Sequence, residues 1–173
     1  MRFFTIEQDK SLPDMIEFSD FDICGPRHIF YKKDAGRIRS STALYLTEKS
    51  GECAPDFIQS PIPMISDTVK KVLDIYEDGM IFKSVPIISM EREKILKYYT
   101  LLLDGMDMLS GKSEFYANGS VKRLVLDAAK IGEHHIFLLD DRRFRNPFVS
   151  LEVMESLLRR NVTGIIWTEV EVE

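Results

Sequence analysis

Apolar positions along the chain follow two rhythms. Between residues 66 and 77, Val69, Val72, Leu73 and Tyr76 recur at intervals of three and four, the spacing that lines one face of a helix. Ser66 with Asp67 supplies a helix start, and Asp78 with Gly79 a stop. The same rhythm returns at Val153, Met154, Leu157 and Leu158, behind a capping Ser150 and ahead of Arg159 and Arg160, whose charges suit the negative end of a helix dipole. Two helices are expected, over about 66–77 and 150–160. Short runs rich in branched and aromatic side chains predict strands at 2–6, 28–32, 42–47, 80–85, 96–103, 121–127, 134–139 and from 165 onward. In the last strand Trp167, Glu169, Glu171 and Glu173 share one parity, which predicts an exposed acidic row at a sheet edge. The expected fold class is α+β: a mixed, mainly antiparallel sheet grown mostly by local connections, with two helices and an N-terminal strand-and-loop region.

Two longer-range patterns organise these elements. Residues 54–63 hold three prolines in ten and read as an extended connector, dividing an N-terminal β/loop-rich region (1–60) from an α+β domain (61–173). Ser66, Val69 and Leu73 match Ser150, Val153 and Leu157 at an offset of 84, and after one inserted residue 79–85 matches 164–170. Both units read cap, helix, glycine, strand, as in an internal duplication or as in two unrelated capped helices that each precede an apolar strand.

Composition bounds the function. At 173 residues, 45% hydrophobic and 29% charged, the chain can bury one real core. No apolar run exceeds four residues, against the roughly 20 needed to cross a bilayer, and the N-terminus carries no secretory pattern, so a cytoplasmic location is expected. A balance of 23 basic against 28 acidic residues, net −5, disfavours broad nucleic-acid binding.

Candidate chemistry is sparse. Cys24 and Cys53 stand singly and read as buried thiols. His134 and His135 precede Asp140 and Asp141, but adjacent strand residues point to opposite faces, against one metal ion. Nucleophile elbows and phosphate-cradling glycine loops are missing. Arg142, Arg143, Phe144 and Arg145 follow two acids and read as a charged hairpin tip. The series Asp14, Glu17, Asp20 and Asp22, interleaved with Met15, Ile16, Phe18 and Phe21, suits recognition of a basic partner, carboxylates steering and aromatics supplying contact area. The alternative is a solvated loop anchored by its apolar residues.

Over residues 63–173 the chain resembles immunity proteins of bacterial polymorphic toxin systems. The resemblance lies in the order and spacing of 63–69 with its helix, the strand 80–85, the segment 98–110, the strands at 125–127 and 135–137, and 149–153 through 164–170. It implies a cytoplasmic, non-enzymatic protein that binds and neutralises a cognate toxin domain, without a cofactor. The residues expected to face that partner are Asp14, Glu17, Asp20, Asp22, Asp140, Asp141, Arg142 and Arg143. The rival expectations are a small enzyme or ligand-binding protein with a site near 134–145, built on His134 or His135, Asp140 and Arg142, and a nucleic-acid module using 142–145.

Overall fold

The computed structural model describes residues 1–19, 31–38, 42–141 and 143–173; Asp20, Asp22, Cys24, His28 and Arg142 lie outside them. In chain order the elements are β1 (Phe3–Gln8), a 3-10 helix (Lys32–Arg37), β2 (Leu44–Tyr45), β3 (Phe57–Ile58), β4 (Met64–Ser66), α1 (Asp67–Tyr76), β5 (Ile81–Ser84), β6 (Ile87–Ser89), β7 (Lys94–Leu96), β8 (Tyr98–Leu102), β9 (Gly105–Met106), β10 (Glu114–Phe115), β11 (Val121–Arg123), β12 (Val125–Leu126), α2 (Ala128–Ile131), β13 (Ile136–Leu139), β14 (Phe148–Ser150), α3 (Leu151–Leu158) and β15 (Ile165–Val172). The fold is α+β and strand-rich, with mostly antiparallel pairing.

Both expected helices form for the expected reasons. The Ser66 and Ser150 hydroxyls accept the backbone N–H of Val69 and Val153, and the apolar stripes bury Val69, Val72 and Leu73 on α1 and Val153 and Leu157 on α3. The Arg160 guanidinium donates to the Ser156 carbonyl, satisfying the frayed end of α3. Helix α2 is one turn, too short for any periodicity; the Asp127 carboxylate caps it by accepting from Ala129 and Lys130. Of the expected strand 28–32, residues 28–30 lie outside the described residues; Tyr31 forms an isolated parallel bridge to Leu103, and Lys32 opens the 3-10 helix. No helix among the described residues is long and apolar enough to cross a membrane.

The largest sheet runs β12-β15-β1-β14-β13-β9. Its centre corrects two expectations. Growth is not mainly local, because β1 pairs antiparallel with both β14 and β15, strands from the opposite end of the chain. Nor is β15 an edge: it lies between β12 and β1, and its acids meet cations carried on or beside neighbouring strands, Glu169 with Arg2, Glu171 with Arg123 and Glu173 with Lys112. A second sheet runs β3-β4-β8-β5, a third β2-β6-β7, and β10 and β11 form a separate hairpin. Residues on both sides of the 54–63 stretch share one core, in which Phe4, Ile6 and Phe57 pack with Ile65, Val69, Leu73, Leu101, Val153 and Leu157.

The repeat extends well past the two helices. In one unit β3 pairs with β4, and β8 lies between β4 and β5; in the other β13 pairs with β14, and β1 lies between β14 and β15. Registers coincide pair by pair. Phe57 opposes Ile65 as Ile136 opposes Val149, Ser66 opposes Tyr98 as Ser150 opposes Phe3, and Ser84 opposes Tyr99 as Glu169 opposes Phe4. Residues 98–102, Tyr-Tyr-Thr-Leu-Leu, thereby superpose on 3–7, Phe-Phe-Thr-Ile-Glu. Gly79 and Gly164 also agree, both in the left-handed region at φ 76 and 75.

Candidate functional site

The acidic N-terminal segment is built onto the three-stranded sheet. Phe18 bridges antiparallel to Leu46 and Met15 parallel to Cys53, while Ser19 donates to the Tyr45 carbonyl and Thr47 to that of Glu17, each at 2.9 Å. Ile16 is buried and Phe18 packs beside it against Leu44, Ile58, Met64 and Tyr98, which leaves Glu17 outside. Among its described residues, the apolar side chains anchor the segment, and Asp14 and Glu17 face water. Asp14 takes φ 56, accepting the Glu52 N–H on its carboxylate and the Cys53 N–H on its carbonyl. Gly51 permits this approach, since a Cβ there would fall 2.1 Å from the Asp14 carbonyl oxygen.

Folding gathers further acids at this end that the sequence leaves scattered. The turn between β6 and β7 carries Glu91 and Glu93 and is fastened to the loop after β2 by Arg92, whose guanidinium donates to the Ser50 and Gly51 carbonyls at 2.6 and 2.9 Å. Glu48 and Glu52 lie in that loop, with Arg92 4.0 Å from Glu52. Among the described residues, Asp14, Glu17, Glu48, Glu91 and Glu93 enter no ion pair. Lys49 and Lys94 are further cations on these turns. The signal for Glu48, Glu91 and Glu93 is absent from the sequence, because each reads as an ordinary turn charge until the Arg92 contacts bring the turns together.

Asp140, Asp141 and Arg143 sit elsewhere and pair within the chain. Asp140 follows β13, 3.7 Å from Lys33. The Asp141 carboxylate accepts the Arg143 backbone N–H and its guanidinium, and the Arg143 bond holds Asp141 below the usual carboxylate range. Arg143 also lies 3.8 Å above the Phe115 ring, so the turn braces the β10–β11 hairpin. The structure does not bring Asp141 and Arg143 together with Asp14 and Glu17, which are bound to a different sheet.

The histidines line an open pocket of about 410 Å³ with Met1, Phe3, Glu133, Ser150 and Glu152. His134 Nδ1 is 2.9 Å from Glu77 Oε1, the His135 N–H donates to Glu77 Oε2, and His135 Nδ1 is 2.9 Å from Ser150 Oγ. A serine beside a histidine suggests nucleophilic chemistry, and the repeat supplies another account. Asp56, just before β3, accepts the Ser66 N–H on its carbonyl and bonds the Ser66 hydroxyl with its carboxylate; His135, just before β13, accepts the Ser150 N–H and bonds the Ser150 hydroxyl. His135 thus braces a helix cap, and Ser150 is 1% exposed. Asp140 lies five residues along the strand from His135, at about 3.3 Å per residue, so the two do not converge. Among the described residues no group of three or more His, Cys, Asp or Glu could hold a metal ion, and Cys53, expected buried, is a half-buried free thiol. No family model matches this chain, and no curated protein matches it.

Proposed function

We propose that the chain binds and neutralises a basic protein partner, a toxin domain made by the same cell, by covering its active surface in the cytoplasm. The observation that supports this reading is a group of five carboxylates on adjoining turns, Asp14, Glu17, Glu48, Glu91 and Glu93, that enter no ion pair among the described residues, while Glu169, Glu171 and Glu173 each meet a cation. Uncompensated surface charge of one sign steers an oppositely charged protein into encounter and weakens with salt. The resemblance over 63–173 points to the same chemistry, binding without a cofactor.

The test is affinity purification of the tagged chain from its native cells at low and moderate salt, followed by co-expression of the partner it retains. One stoichiometric basic partner is expected, toxic alone and harmless with this chain. Charge reversal by Glu17→Lys with Glu91→Lys, and separately by Asp20→Lys with Asp22→Lys, should slow association and flatten its salt dependence while the circular dichroism stays unchanged. A partner without basic character, bound equally well by the reversed variants, would overturn the reading.

A further inference from the structure

The three-stranded sheet that carries the acidic segment has two apolar faces where a solvated sheet ordinarily has one. Inward, Leu44, Ile87 and Leu96 close over the core. Outward, the registers set Tyr45 opposite Ile88 and Ile88 opposite Ile95, a row that crosses all three strands, and Met90 shares the parity of Ile88. Tyr45 is 46% exposed, Ile95 64% and Met90 73%. Glu17 takes outward parity beside the row, Glu91 and Glu93 lie in the turn that joins β6 to β7, and Lys97 stands at the far end, where its charge acts on Asp67.

We propose that the row Tyr45–Ile88–Ile95, with Met90, is the apolar anchor of an interface with a basic protein; this rests on the partner-binding reading above. Interfaces draw most of their energy from a few well-packed apolar or aromatic residues ringed by polar groups that exclude water, and an exposed contiguous apolar patch with a polar rim marks such a site. The rim's charge selects the occupant. A second copy of this chain would set Glu17, Glu91 and Glu93 against their own equivalents, nucleic acid would bring phosphates and an inner-leaflet membrane would bring anionic lipid, each repelled by the same carboxylates. A basic protein surface with its own apolar contact is the occupant that satisfies both row and rim.

The division of labour is kinetic. Rim charges govern association, and a buried anchor governs dissociation.

A photo-crosslinking side chain placed at Tyr45 or Ile95 in the full chain, in native cells, should give one adduct with a basic protein, and the same side chain at Ile75, 69% exposed on α1, should give none. With that protein purified, Tyr45→Ala and Ile95→Asp should each raise the dissociation rate at least about tenfold, while Glu17→Lys with Glu93→Lys acts mainly on association. Unchanged circular dichroism and melting temperature of the variants separate loss of contact from loss of fold. Wild-type retention of a basic partner, with no adduct at 45 or 95 and dissociation within about twofold of wild type, overturns the anchor and leaves the binding reading standing. If the wild-type chain retains no protein at all, both fall, and an adduct with nucleic acid or with a second copy of the chain overturns the anchor by itself.

Discussion

Ser66 and Ser150 do the same work in equivalent places, and each was legible because a cap is a local device: a hydroxyl, three residues, an apolar stripe. Ser66→Ala and Ser150→Ala should each destabilise by about 1 kcal/mol, lowering the midpoint of a circular-dichroism melt by about 2–4 °C. The partners of those serines were not legible, since Asp56 and His135 reach them from preceding strands. Their equivalence gives a sharper expectation: His135→Asp, which restores the Asp56 arrangement, should melt close to wild type, whereas His135→Leu, which leaves Ser150 without its partner, should melt lower. The paired glycines divide in the opposite sense. Gly79 has open surroundings apart from the Lys32 ammonium, but a Cβ at Gly164 would stand 2.2 Å from that of Pro55. Gly164→Ala should therefore cost clearly more than Gly79→Ala, although both incur the same left-handed strain.

At the scale of elements, what alternation reveals is which side chains share a face; which strand lies alongside is settled by contacts far away in sequence. Hence alternation gives the acidic parity of β15 but not its place, because the strand that buries its flank, β1, begins at Phe3. Strands of two residues, such as β2, β9 and β12, carry no alternation to read. The ladder of Arg2–Glu169, Arg123–Glu171 and Lys112–Glu173 that results has a pH consequence. A hydrogen bond from Arg2 lowers the pKa of Glu169, and one from Lys112 lowers that of Glu173. A carboxylate depressed by folding contributes stability that is fully present above its unfolded pKa, about 4.3 for Glu, and is lost as pH falls through the folded value. Melts taken from neutral pH down through pH 3 should show stability declining below about 4.3. Glu169→Gln should decline less steeply, and added salt should narrow the difference because the pair is exposed.

For the whole molecule, the two four-stranded units differ in one respect of connectivity: β8 follows β5 along the chain, whereas its counterpart β1 precedes everything else. The surface proposed for the partner is equally a product of the whole, drawing Glu17 and Tyr45 from before residue 60 and Ile88, Glu91 and Ile95 from after it, which is why a resemblance confined to 63–173 could not locate it. Since β15 and β1 run antiparallel side by side, with Val170 opposite Phe3, a short Gly/Ser linker from Glu173 to Met1 would close an ordinary hairpin and give the second unit the connectivity of the first. New ends belong at the tip of the β10–β11 hairpin, between Asn118 and Gly119, where nothing lies within 4 Å of a Cβ built on the glycine. The permuted chain should match wild type in circular dichroism, unfold cooperatively and keep its partner, because every strand retains its neighbours. A control opened between Thr100 and Leu101 interrupts β8, whose Thr100 and Leu101 are 0% and 1% exposed, and should not fold. If the first permutant unfolds while the linker alone, added to the uncut wild-type C-terminus, is tolerated, then β1 and β15 do not stand side by side and the matching registers of the two units fall with them.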